Sequence, residues 1–182
     1  MKNLLKTSSL LIAVILLAPY KSFSQQAKQS DSVNVVIKNA AREIMNGAST
    51  CALITLDENN IPMARAMDPF APEDDFTVWF GTNPKSRKVS QIKNNPTVTL
   101  YYLKSDESGY VVVHGKAELV NSQKEKDAHW KEAWKAFYPN NTEAYLLIKV
   151  TPEWMEVVSY AHGIVGDSVS WEAPKVVFDS KN

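Results

Sequence analysis

Apolar residues at Val33, Val36, Ile37, Ala40, Ala41, Ile44 and Met45 follow the spacing of one helical face, with Ser30 or Asp31 at the N-cap position and Gly47 just past the end. An opening amphipathic helix is expected. The period then shortens. Residues 51–56 and 62–67 have strand character and flank the turn-forming cluster Asp57-Glu58-Asn59-Asn60, so they read as a hairpin. Phe76-Thr77-Val78-Trp79-Phe80 is a third strand by composition. It runs through Gly81-Thr82 into a helical pattern. There Asn83 can cap, Pro84 suits the first position, Val89 and Ile92 form the apolar face, and Asn94-Asn95-Pro96 is the stop.

Residues 97–103 and 110–120 form two more expected strands joined by a polar connection. Ser122-Gln123-Lys124-Glu125 has the form of a capping box. It opens a helix whose apolar face is Trp130, Ala133, Trp134, Phe137 and Tyr138, with a stop at Pro139-Asn140-Asn141. Residues 145–150 and 154–158 read as strands on either side of Thr151-Pro152-Glu153, and 176–178 as a last one. Adjacent strands with short connections favour antiparallel pairing, whereas a parallel sheet would need a helical crossover between nearly every pair. The expected class is mainly β (α+β): a small antiparallel barrel with flanking helices.

The first residues have a different character. Lys2 and Lys6 precede an apolar run from 10 to 18, and Ser22-Phe23-Ser24 offers the small residues a signal peptidase reads. The run is well short of the ~20 residues that a spanning helix needs. A signal peptide over 1–24, a single domain over 25–182, a periplasmic or extracellular location and no stable membrane anchor are therefore expected. No twin-arginine pair precedes the run, so export of the unfolded chain, with any cofactor loaded afterwards, is expected. The whole chain balances 20 basic against 20 acidic residues, and removal of Lys2, Lys6 and Lys21 leaves 17 basic residues. This mildly acidic balance argues against a nucleic-acid partner. Cys51 is the only cysteine, which excludes an intramolecular disulfide, and it lies in an apolar stretch where a buried thiol is expected.

Candidate chemistry concentrates in Thr82-Asn83-Pro84-Lys85-Ser86-Arg87-Lys88, where a helix start meets hydroxyls and three cations. Such a segment suits a phosphate monoester, because arginine supplies a planar fork of donors and lysine a point charge. It would equally serve as a solvated basic turn. Arg65 lies in the apolar strand Ala64-Arg65-Ala66-Met67, where a core-facing charge needs a strong partner.

Several segments together resemble the FMN-binding split barrel of the pyridoxamine 5′-phosphate oxidase-like superfamily. They are Arg65-Ala66-Met67, Val78-Trp79-Phe80-Gly81-Thr82, Ser86-Arg87-Lys88-Val89, Asn95-Pro96-Thr97-Val98 and His114-Gly115-Lys116-Ala117-Glu118. Ala136-Phe137-Tyr138-Pro139 and the stretch 146–154 are similar to its general-stress-protein branch. The resemblance implies an antiparallel split β-barrel. It implies FMN, with the phosphate held by Arg65, Ser86, Arg87 and Lys88, and the backbones of Ala66, Met67, Gly81 and Thr82 along the flavin. It further implies a homodimer with FMN at the subunit interface.

One departure bears on activity. True pyridoxamine-phosphate oxidases hold their substrate phosphate with a C-terminal arginine and histidine cluster, and this chain has no arginine after Arg87. Trp171 matches only loosely the aromatic that the family places near the flavin, and packing is its expected role. His114, His129 and His162 show no metal-ligand spacing and are expected to be surface or packing residues. No catalytic side chain and no substrate emerge. The expected function is a flavin-dependent oxidoreductase, the alternative a non-catalytic flavin- or haem-binding module.

Overall fold

The computed structural model describes residues 19–138 and 145–179. The apolar run of the expected leader and the stop at Pro139-Asn140-Asn141 lie outside the described residues. The chain separates into two compact units, residues 1–33 and 34–182. Helix α1 (Pro19–Gly47) ends at Gly47 as expected but begins well before Ser30 or Asp31. No helix breaker stands between Pro19, which suits a first helical turn, and Gly47, so the expected N-cap falls inside the helix.

Residues 34–182 hold one seven-stranded sheet in which every strand pair is antiparallel. Its strands are β1 (Cys51–Leu56), β2 (Pro62–Met67), β3 (Val78–Thr82), β4 (Thr97–Leu103), β5 (Gly109–Val120), β6 (Leu146–Ser159) and β7 (Lys175–Val177). The order is β2-β1-β4-β5-β6-β3, with β7 also on β6, so the sheet is unclosed and β2 and β3 are the ends of that order. Alternation along β1 and β4 sends Leu53, Val98, Leu100 and Tyr102 inward, where they pack with Ile37, Ala40, Ala41, Ile44 and Met45 of α1.

The hairpin β1–β2 has the expected bounds, with Cys51 opposite Met67 and Leu56 opposite Pro62. Other expectations are corrected. The third strand starts at Val78 rather than Phe76, because Phe76 adopts φ 65° and ends a turn closed by its N–H to the Glu73 carbonyl at 2.9 Å. The two strands expected around Thr151-Pro152-Glu153 are one, β6. Its outer neighbours are β3 along Leu146–Val150 and β7 along Trp154–Glu156, so Pro152 falls between them, where no ladder donor is required. A bulge at His114/Gly115 adjusts β5 to it.

The helix expected from Ser122 is broken into α3 (Gln123–Ala128) and a 3₁₀ turn, Glu132–Ala136. Ser122 is the N-cap residue, yet its side chain makes no capping bond. The break lets the His129 ring stack on Trp79, with centroids 4.2 Å apart, and lets Lys131 Nζ bind Asp68 Oδ1 at 2.5 Å. Trp79, Trp134, Tyr145 and Leu147 then form a second, aromatic core, whereas Phe137, expected on that face, is 76% exposed.

Candidate functional site

The two end strands, β2 and β3, are joined by the segment that follows Met67. The Phe70 N–H donates to the Trp79 carbonyl at 2.9 Å. An antiparallel continuation of that contact would pair the Met67 region with Thr82. Among the described residues no main-chain bond joins Ala66 or Met67 to Gly81 or Thr82. This is the split in the sheet, and it leaves polar backbone on both sides.

At this split Arg65 projects to the same side of the hairpin as buried Met67, toward β1 and helix α2 (Arg87–Asn94). Its Nη1 donates to Thr55 Oγ1 at 2.7 Å and its Nη2 to Gln91 Oε1 at 3.0 Å. Lys88 Nζ donates to Thr82 Oγ1 at 3.2 Å, and Thr82 Oγ1 lies 3.2 Å from Ser86 Oγ. Burial lowers the pKa of both Arg65 and Lys88; the charge of Arg87 adds to the effect on Arg65, and that of Arg65 to the effect on Lys88. Among the described residues no carboxylate pairs with Arg65, Arg87 or Lys88. Asp57 and Glu58 line a cavity of about 260 Å³ together with Arg87 and Gln91, and make no ion pair with Arg87.

Helix α2 begins later than expected. Asn83 caps a turn instead, accepting the Lys85 N–H on Oδ1 at 2.8 Å, and Ser86 is the N-cap residue. The Ser86 side chain makes no capping bond, so its hydroxyl faces Thr82 rather than its own helix. The N–H groups of Arg87 and Lys88, in the first turn, have no intrahelical acceptor. Three cations, Arg65 and Lys88 partly buried and Arg87 exposed, thus converge with two hydroxyls and free main-chain donors, an arrangement suited to a dianion.

Gly81 has a different environment from Thr82. A Cβ there would collide with the Trp134 indole, so the glycine is required by the aromatic core. A cavity of about 570 Å³ lies against β1, β2 and β4, lined in part by Cys51, Ala52, Ala64, Arg65, Ala66 and Tyr101. Cys51 itself is buried, as expected, and desolvation pushes its thiol up to about 11.

Residues 37–173 match the family described as pyridoxamine 5′-phosphate oxidase like. The chain belongs to this family. General stress protein 26 of Bacillus subtilis is 27% identical over 121 residues, which cover 64% of this chain and 84% of that protein. The crystal structure of General Stress Protein 26 from Bacillus anthracis superposes with a TM-score of 0.57 at 26% identity, covering 69% of this chain and 93% of that one. A pyridoxamine 5′-phosphate oxidase-related, FMN-binding protein from Nostoc punctiforme superposes with a TM-score of 0.57 at 15% identity, covering 90% and 98%. The fold is the split barrel of this family.

Within this family frame, the structure brings Thr82, Ser86 and Lys88 into direct contact and sets Arg65 and Arg87 close enough to repel. It places Ala66 and Met67 on the opposite edge. Thr55 and Gln91 were missed from sequence. Thr55 lies two residues beyond Leu53, the direct partner of Arg65, and Gln91 lies three and four residues beyond Lys88 and Arg87, both spacings that place side chains on a shared face. Nothing in either residue type marks it without its partner.

Proposed function

We propose that the protein binds FMN at the split, as a flavin-dependent oxidoreductase whose substrate the sequence does not name. The observation that carries this reading is the convergence of Arg65 and Lys88, both partly desolvated, with the exposed Arg87, none of them paired with a carboxylate, beside the Thr82 and Ser86 hydroxyls. An uncompensated cation cluster destabilises the free protein and gains most from a phosphate dianion. Arg65, Ser86, Arg87 and Lys88 hold the phosphate, while the main chain of Ala66 and Met67 on one side of the split and of Gly81 and Thr82 on the other faces the ring system. Bound FMN supplies hydride or single-electron chemistry, and the chain's own residues orient it and restrict access.

The proposal includes a homodimer. The outer face of β1, β4, β5 and β6 carries Ile54, Tyr101, Tyr110, Val112 and Trp154, all only half-buried in one copy. Two ring stacks, Tyr101 on Tyr110 and His114 on Trp154, add aromatic surface of the kind that interfaces between copies use. The basic, apolar and small-residue succession in residues 1–24 supports export to the periplasm or beyond. Among the described residues no helix is long and apolar enough to cross a membrane.

The test is an absorbance spectrum and FMN titration of the purified protein, with haem titrated in parallel. Stoichiometric FMN binding supports the reading, and absence of FMN binding sinks it. N-terminal sequencing of the secreted product tests cleavage after Ser24. A second reading, a flavin carrier without turnover, is favoured by the lack of any arginine after Arg87. Failure of reduced nicotinamides to bleach the bound flavin would support it.

A further inference from the structure

Arg65 has an unusual pair of partners. A carboxylate that fixes a guanidinium through paired hydrogen bonds also neutralises it. Here the acceptors are the Thr55 hydroxyl at 2.7 Å and the Gln91 amide oxygen at 3.0 Å, both on buried residues. Thr55 Oγ1 in turn donates to the same Gln91 Oε1 at 2.7 Å, closing a three-membered ring. Every polar atom in the ring has a complementary role. Because two donors meet there, only the oxygen of the Gln91 amide fits that position.

The ring leaves part of the guanidinium free. Of about five N–H donors on an arginine, one goes to Thr55 and one to Gln91, and a third makes only a 3.4 Å contact to the Leu53 carbonyl. The rest remain for an incoming acceptor, and the positive charge is undiminished. Gln91 also lies on α2, the helix that carries Arg87 and Lys88, so its bond to Arg65 draws β2 toward two like charges. Burial lowers the Arg65 pKa, and repulsion from Arg87, which adds to that effect, opposes the approach.

We propose that Thr55 and Gln91 are positioning residues that fix Arg65 through neutral acceptors, keeping the site cationic and selecting a flavin with a phosphate over one without. This rests on the FMN reading above for the identity of the ligand. The holding of an anion by a charge-preserving ring does not. Gln91→Glu is the decisive substitution, since it keeps size and acceptor while adding the negative charge that the ring avoids. Thr55→Val removes one acceptor and keeps the branched shape that the strand packs.

The experiment uses the full chain and three probes, FMN, riboflavin and inorganic phosphate, with thermal unfolding of the ligand-free protein alongside. Gln91→Glu is expected to weaken FMN by about tenfold or more, equivalent to about 1.4 kcal/mol. Riboflavin affinity should be unchanged and the ligand-free melting temperature no lower than that of the parent. Thr55→Val should weaken FMN in the same selective way. Unchanged FMN affinity in Gln91→Glu, or equal losses for FMN and riboflavin, would overturn the proposal. If the parent binds no flavin, thermal stabilisation by inorganic phosphate that disappears in Gln91→Glu upholds the positioning role while sinking the FMN reading. Stabilisation that persists in the variant overturns both.

Discussion

Lys88→Met separates stability from binding at one residue, because the two should move in opposite directions. In the ligand-free protein the ammonium is partly desolvated and repelled by Arg65, and its one hydrogen bond goes to a neutral hydroxyl, Thr82 Oγ1, at 3.2 Å. Methionine keeps the apolar stem and removes the charge. Thr82 retains Ser86 as a partner. Relief of like-charge repulsion at a half-exposed site is worth up to about 1 kcal/mol. For a domain of this size that corresponds to a rise in melting temperature of about 2–4 °C. The same change deletes a charge-assisted bond to the FMN phosphate, at a cost of about 1.5–3 kcal/mol, or about 10- to 150-fold in dissociation constant. Scanning calorimetry of the ligand-free protein and fluorescence titration with FMN give the two numbers. A variant that melts lower and binds FMN as well as the parent would mean that Lys88 is a structural lysine, and the case for an uncompensated cation site would be lost.

Other substitutions test the frame around the site. Arg42 donates to the Pro72, Glu73 and Asp74 carbonyls at 3.0–3.1 Å and covers the Phe76 ring, tying α1 to the turn before β3. Arg42→Ala should lower stability in urea unfolding by about 2–3 kcal/mol, and a loss below about 0.5 kcal/mol would show that the turn holds itself. Gly81→Ala drives a methyl group into Trp134 and should cost about 1–3 kcal/mol with a changed near-ultraviolet signal from the tryptophans; an unaltered spectrum and melting temperature would contradict that packing. Cys51 titrates near 9 when unfolded and at about 11 when folded, so its contribution is complete below pH 9 and fades as pH rises through 11. Cys51→Ala should therefore show a shallower loss of stability between pH 9 and 11 than the parent, and identical slopes would rule the thiol out as a source.

Those tests bear unequally on what the sequence shows. The hairpin over 51–67 is legible residue by residue, because strand periodicity and its turn cluster are both local signals. The order of Arg65, Ser86, Arg87 and Lys88 is equally visible, as is the helix face that ends at Gly47. Element boundaries shift wherever a distant partner competes with local preference. Pro152 reads as a break, but it sits between the two outer neighbours of β6 and costs the sheet no bond. Ser122 to Tyr138 reads as one helix, but stacking of His129 on Trp79 and the Lys131–Asp68 ion pair divide it.

By itself, then, the sequence determined the alternation of short strands and helices, the family and the chemistry available to a phosphate, since each depends on residue type and spacing along the chain. The tertiary structure decided that β2 and β3 do not pair with each other beside the cations, that Gly81 answers to Trp134, and that Arg65 is held by Thr55 and Gln91 without being neutralised. Thr55 and Gln91 are ordinary polar residues whose meaning appears only when β1, β2 and α2 meet. Hydrogen bonds between elements carry no periodic signal, because their strength depends on direction and on separations of about 3 Å that chain order does not record.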